Sequence, residues 1–105
     1  MAWPNDADGD ALRRLEENGV NLALPHAIDF DIEFQNWPPD EDLVKRLQNL
    51  YGRVSIYPPE GGAFGFVSVK ILAVPSYEFV VRTQEELSAL SRSSGGVCES
   101  WGVLH

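Results

Sequence analysis

The residues of this chain that could do chemistry are concentrated in one short stretch, residues 27–34. Four apolar residues alternate there with three acids, so the apolar set is Ile28, Phe30, Ile32 and Phe34, and the acidic set is Asp29, Asp31 and Glu33. Because a β-strand repeats every two residues, the apolar side chains share one face and the carboxylates share the other. The pattern predicts a half-buried strand that presents an acidic strip.

Outside this strip, the residue types that enzymes use have no partners in sequence. The chain has two histidines and one cysteine, namely His26, His105 and Cys98, and none of them stands in a nucleophile or metal-binding motif. The glycines at 61–65 have no lysine or helix after them, so they predict a hairpin turn and not a phosphate loop. We therefore predict no catalytic residues, no metal site, no cofactor and no enzymatic activity.

Composition restricts the class of partner. The 105 residues, 44% of them hydrophobic, predict one globular domain over 1–105 with a short tail at 1–5. Sixteen acids against eight bases give a net charge of −8. Such a chain repels phosphate backbones, which argues against direct nucleic-acid binding, whereas a basic segment of a protein would be attracted.

The sequence also predicts the compartment. A single cysteine, Cys98, cannot form an intrachain disulfide, and no run approaches the roughly 20 apolar residues of a membrane span. The first ten residues lack the basic and apolar regions of a signal peptide. A cytoplasmic protein with no membrane association is the expectation.

Periodicity and capping signals give the elements that position the strip. A first helix follows a cap at Asp6 or Asp8 and ends at Gly19, a second runs from a cap at Asp40 to Gly52, and a third opens at Thr83 with Glu86 completing a capping box. The predicted strands are 27–34, 53–57, 64–74 and 97–104.

This order predicts an α+β fold, the ferredoxin-like βαββαβ antiparallel sheet with its helices on one face and an extra N-terminal helix. The usual strand order of that fold sets the last strand beside the first. If Glu99 and Trp101 point to the open face, they join the acidic strip, and Cys98, Ser100 and Gly102 lie under the helices. The five residues Asp29, Asp31, Glu33, Glu99 and Trp101 then form a candidate partner-binding site. The alternative is a solvated face with Lys70 and Arg53 as counter-charges and with Trp101 as a local packing residue.

One segment has a family resemblance. Residues 95–101, GGVCESW, resemble the Gly-Gly-x-Tyr-Asp-Gly-Trp signature of the family called regulator of ribonuclease E activity B (RraB). Residues 12–22, 25–34 and 43–51 are similar to other segments of that family. Cys98, Glu99 and Ser100 depart from the signature, in which Tyr, Asp and Gly stand.

The resemblance implies a non-catalytic, ferredoxin-like regulator whose partner is a ribonuclease E-type enzyme and which does not contact RNA as a substrate. Two alternatives stay open. A dimeric ferredoxin-like domain can enclose a small-ligand or enzymatic pocket. The chain could also self-associate through the open face, so both a monomer and a homodimer are compatible with the sequence.

Overall fold

The computed structural model describes residues 3–104 of the chain. Three residues lie outside the described residues, namely Met1 and Ala2 of the predicted tail and His105. The elements are α1 (Ala7–Glu17), β1 (His26–Phe34), α2 (Glu41–Tyr51), β2 (Arg53–Tyr57), β3 (Gly65–Ala73), α3 (Tyr77–Ser91), a 3₁₀ turn (Arg92–Ser94) and β4 (Gly96–Val103). No helix within residues 3–104 has both the length and the apolar character needed to cross a bilayer.

The first two helices begin and end where their capping residues predict. The Asp6 carboxylate accepts a hydrogen bond from the Gly9 amide at 2.8 Å, and Asp40 accepts one from Asp42 at 3.3 Å. Gly52 closes α2 with a φ of +86°, a left-handed conformation that glycine adopts without a steric penalty.

The third helix begins seven residues earlier than predicted. Ser76 is its cap, because its hydroxyl accepts a hydrogen bond from the Phe79 amide at 3.1 Å. Thr83, the predicted cap, is buried in the middle of the helix. The prediction was wrong because residues 77–81 are mostly aromatic and β-branched, and such residues have a low intrinsic preference for helix. Tertiary packing overrides this weak preference in the folded protein.

The four strands form one antiparallel sheet in the order β2-β3-β1-β4. The predicted neighbourhood of the first and last strands is confirmed, and β3 is central as its apolar sequence predicts. Together with three helices this makes an α+β fold.

The core lies between the helices and one face of the sheet. The four large apolar residues of β1 are at most 1% exposed, and they pack with Val67 and Val69 of β3. The helices contribute Leu12, Leu43, Leu47, Val80 and Leu87 to the same cluster. The other face of the sheet is therefore left to the acids of β1 and to the residues that pair with them.

Candidate functional site

The acidic strip is present on the sheet face opposite the core. Asp29 and Asp31 are half-buried and Glu33 is exposed, while the alternating residues of β1 are fully buried. The predicted sorting of β1 into an apolar and an acidic face is confirmed.

Neighbouring strands surround the strip with small, polar and aromatic residues. On β3, Asp29 is paired with Lys70, Asp31 with Ser68 and Glu33 with Phe66. On β4, the residues opposite the three acids are Gly102, Ser100 and Val97. These residues, with Arg53, Ser55 and Tyr57 of β2, form what we call the open face, because directly paired residues point to the same side of a sheet.

The central acid of the strip is held in an unfavourable environment. Burial raises the pKa of the Asp31 carboxyl, a hydrogen bond from the Ser68 side chain lowers it, and the Asp29 charge raises it further. The net direction is upward, which means that the charged form of Asp31 destabilises the fold. A cation bound at the open face would relieve this cost.

The predicted counter-charges lie nearby without forming an ion pair. Lys70 of β3 is directly opposite Asp29, and Arg53 of β2 is directly opposite Lys70. Within the described part of the chain the only ion pairs are Arg13–Asp10 and Arg82–Glu86, both away from the open face. The acids of the strip therefore keep their charge available to another molecule.

The predicted position of Trp101 on the open face was wrong. Phe30 is paired with Trp101, and Phe30 points into the core. Ile32 is paired with Cys98, which leaves Glu99 as an extra residue in a β-bulge between Asp31 and Ile32. The extra residue reverses the alternation of β4, so Cys98 and Trp101 both face the helices.

The same bulge corrects the placement of the small residues of β4. Ser100 and Gly102, predicted to lie under the helices, are exposed on the open face. The core-facing residues of β4 are Gly96 and Cys98 at even positions, and then Trp101 and Val103 at odd positions. This change from even to odd positions is the mark of an extra residue in the strand. Strict alternation through a strand cannot accommodate both.

Trp101 anchors the N-terminal helix. Its indole N–H donates a hydrogen bond to the Asp8 carboxylate of α1 at 2.8 Å, and the Gln84 amide of α3 donates to the same oxygen at 3.1 Å. Asp6, the cap of α1, accepts a further hydrogen bond from α3, donated by the Tyr77 hydroxyl. Sequence reasoning missed this network because its members are more than 70 residues apart.

Glu99 lies at the sheet edge and not within the strip. It is exposed and, with Glu33 and Val97, lines an open depression of about 550 Å³ whose far wall holds Ser88 and Arg92. The structure thus brings Glu33 and Glu99 to one depression, while Asp29 and Asp31 lie further along the strip. Since Arg92 shares this depression, its charge is mixed.

The glycines of the signature have structural roles. Gly95 has a φ of +74° where the 3₁₀ turn ends. A Cβ on Gly96 would lie 2.6 Å from a ring carbon of Phe34 and 2.7 Å from the Ser91 Cβ, so only glycine lets β4 approach α3 and β1 this closely. The glycines of the signature therefore allow α3 to pack closely against the edge of the sheet.

The histidine and the cysteine within residues 3–104 are His26 and Cys98. Burial raises the pKa of the Cys98 thiol to about 12, and the residue is 4% exposed, so the thiol is not a nucleophile at neutral pH. His26 bonds the backbone carbonyl of Asn21 at 2.7 Å. Between residues 3 and 104 no three His, Cys, Asp or Glu side chains are grouped as a metal site would require.

Comparison with known proteins gives one result. No curated protein matches the chain. The model of a family described as "Regulator of ribonuclease activity B" (RraB) matches residues 5–103, nearly the whole chain and all of the elements described above. The chain belongs to the RraB family.

Proposed function

We propose that this protein is a non-catalytic regulator that binds a ribonuclease E-type enzyme through the open face of its sheet. The membership in a family described as regulators of ribonuclease activity supports the class of partner. The element order and the strand order β4-β1-β3-β2 support a ferredoxin-like scaffold. A cytoplasmic location accords with such a partner.

The observation that carries the binding mode is the acidic strip of β1. Three carboxylates lie on a face that no described helix covers, and none of them is in an ion pair. Asp31 bears its charge at a cost to the fold, and a basic segment of the partner would offset that cost. Glu99 extends the acidic surface around the edge of β4.

Trp101 enters this proposal in a different role from the one its residue type suggests. It does not lie on the open face, so it would support partner binding only by holding α1 and β4 together. The alternative of an enzyme or small-ligand domain is less well supported, since the depression beside Glu99 is open and not the enclosed pocket that such a domain would need.

The test uses neutralising variants of matched charge. The double variant Asp29→Asn/Glu33→Gln removes two charges from the strip, and the control Glu16→Gln/Glu17→Gln removes two exposed charges from α1. We expect the strip variant to weaken binding to a purified ribonuclease E-type enzyme by at least about tenfold and the control to change it little, because only the strip would be in contact. Binding is measured by isothermal titration calorimetry at low and moderate salt.

Cleavage of a fluorogenic RNA by the same enzyme is the second readout. The wild-type protein should change the cleavage rate, and the strip variant should need a higher concentration for the same effect. Equal binding by the strip variant and the control would refute the acidic strip as the contact. Binding of the RNA by the protein alone would refute the protein-binding mechanism.

A further inference from the structure

The two edges of the sheet differ in how they are protected. At the β4 edge the bulge at Glu99 interrupts the ladder, and the Ser88 hydroxyl from α3 accepts a hydrogen bond from the Cys98 amide at 2.9 Å and lies 3.4 Å from its carbonyl oxygen. Bulges and covering elements are common devices that prevent an edge from pairing with another strand.

The β2 edge has no such protection. All five residues of β2 pair with β3 in unbroken register, without a bulge or a proline. Arg53, Ser55, Ile56 and Tyr57 are exposed, and in the described part of the chain no hydrogen bond reaches β2 from outside the sheet ladder and its flanking turn. Such a strand is a template for a further antiparallel strand.

The sequence of β2 is complementary to itself when it is reversed. We propose that two copies of this chain associate through β2, around a two-fold axis at Ser55, to form one continuous eight-stranded sheet. In this register Ser55 is opposite Ser55 of the second copy, Arg53 is opposite Tyr57, and Val54 is opposite Ile56. No pair brings like charges together, and β2 contains no acid that would repel the strand of the second copy.

The aromatic side chains of the open face support this register. The rings of Tyr57 and Phe66 stack with centroids 4.7 Å apart and an interplanar angle of 16°. That distance equals the spacing of paired strands, so the second face of Tyr57 is turned toward the position that a side chain of an added strand would take. Arg53 of the second copy occupies this position, and a guanidinium over a tyrosine ring is a favourable contact.

The same contact would offset a repulsion within each chain. Arg53 is paired with Lys70, so two cations are neighbours on the open face. Like charges that face each other across strands are destabilising. In the dimer the Tyr57 ring of the second copy lies on the other side of Arg53, which favours association with a second copy over an arginine-rich or lysine-rich peptide at this edge.

The proposed dimer would also bury apolar surface on the side of β2 that faces the helices. Ile56 is 49% exposed and lines a groove of about 450 Å³ with Trp37, Val44 and Pro58. Val54 of the second copy lies against Ile56 in the proposed register. Both sides of the edge are therefore complementary, one through Arg53 and Tyr57 and one through aliphatic contact.

Sedimentation velocity over a wide concentration range tests the association. We expect a concentration-dependent dimer, and Arg53→Glu should raise its dissociation constant by roughly tenfold, because two Arg53–Tyr57 contacts are lost. The variant places a glutamate beside Lys70, so the monomer should remain folded, which circular dichroism checks. A chain that is monomeric at every concentration, or a dimer that Arg53→Glu leaves unchanged, would overturn the proposal.

Disulfide trapping tests the register. Ser55 is the one residue of β2 that would face its own copy, so Ser55→Cys should form a disulfide-linked dimer under mild oxidation, because opposed residues of an antiparallel pair have a suitable Cα separation. Ser100→Cys is the matched control, since Ser100 lies in the same cross-strand row at the other edge. The native Cys98 is buried and should not compete. Equal trapping through Ser100→Cys would refute the β2 interface.

Discussion

At the residue scale, Asp31 shows how a binding surface can be costly to the fold that carries it. Its carboxyl has a raised pKa, chiefly because it is partly buried, and the adjacent Asp29 adds to the effect. The folded state therefore holds the proton more tightly than the unfolded state does. Stability therefore falls as the pH rises from the unfolded value of 3.8 through the higher pKa of the folded state.

Replacing this residue should stabilise the protein. We expect Asp31→Asn to raise the melting temperature at pH 7, because the variant removes the buried charge and its amide oxygen can still accept the Ser68 hydrogen bond. The gain should disappear at pH 3, where the wild-type carboxyl is protonated. Thermal denaturation of both proteins at the two pH values measures it. Glu33→Gln, at an exposed position of the same strip, is the control, and a wild-type protein that is more stable than Asp31→Asn at pH 7 would contradict the argument.

Gly96 is the second residue whose environment gives a definite expectation. A methyl group there would overlap the Phe34 ring and the Ser91 Cβ, so Gly96→Ala should destabilise the fold by about 1–3 kcal/mol, as other overpacked sites do. Gly102→Ala is the matched control in the same strand, because no atom lies within 4 Å of its Cβ position. Urea denaturation compares them. Equal losses in the two variants would mean that strand conformation, and not close packing, sets the requirement for glycine.

At the scale of elements, α1 is held to the rest of the molecule by a few polar contacts. The Trp101 indole and the Gln84 amide share the Asp8 carboxylate, and the Tyr77 hydroxyl binds Asp6. Leu12 is fully buried in the core, and Leu15 packs partly against the same cluster. The helix and β4 should therefore respond together to a change at either end of these bonds.

Removal of one bond should loosen the helix selectively. Trp101→Phe keeps an aromatic ring and deletes the indole N–H, so we expect a loss of about 1.5–3 kcal/mol, typical of a hydrogen bond to a charged acceptor. Amide hydrogen exchange should accelerate in Ala7–Glu17 and change little in Glu41–Tyr51. The variant Asp10→Asn, which breaks only the exposed pair with Arg13, should leave exchange nearly unchanged. Uniform acceleration in both helices would argue against a local tether.

The elements also show what a sequence can and cannot predict here. β1 was predictable because its alternation is strict, and the caps at Asp6 and Asp40 were predictable because their partners are two or three residues away. The start of α3 and the bulge at Glu99 depend on packing between distant segments. The bulge decided the candidate site, because one extra residue moved Trp101 from the open face to the core side.

At the scale of the whole molecule, half of the basic residues lie toward the β2 edge of the sheet. Four of the eight bases lie on α2, β2 and β3, and these are Lys45, Arg46, Arg53 and Lys70. The acidic strip lies on β1, two strands from the β2 edge. Pairing through β2 would therefore keep the acids of the two copies apart, in spite of a net charge of −8 on each chain.

Such a pair would carry two acidic strips on one continuous face. Five strand spacings separate β1 of one copy from β1 of the other, which is roughly 24 Å along the hydrogen-bonding direction. A partner with two basic segments could then engage both strips, and the second contact would benefit from its high effective concentration. A partner with one segment would gain nothing from the dimer.

Ser88 of α3, which is hydrogen-bonded to the outer edge of β4, also limits the growth of the sheet. A sheet that could accept strands at both borders would polymerise without end, as fibrils do. Here the bulge at Glu99 and the Ser88 hydroxyl together protect one border, and a symmetric pair uses up the other on both molecules. Assembly through backbone pairing would therefore terminate at two subunits, and loss of the Ser88 hydroxyl would open a route to longer aggregates.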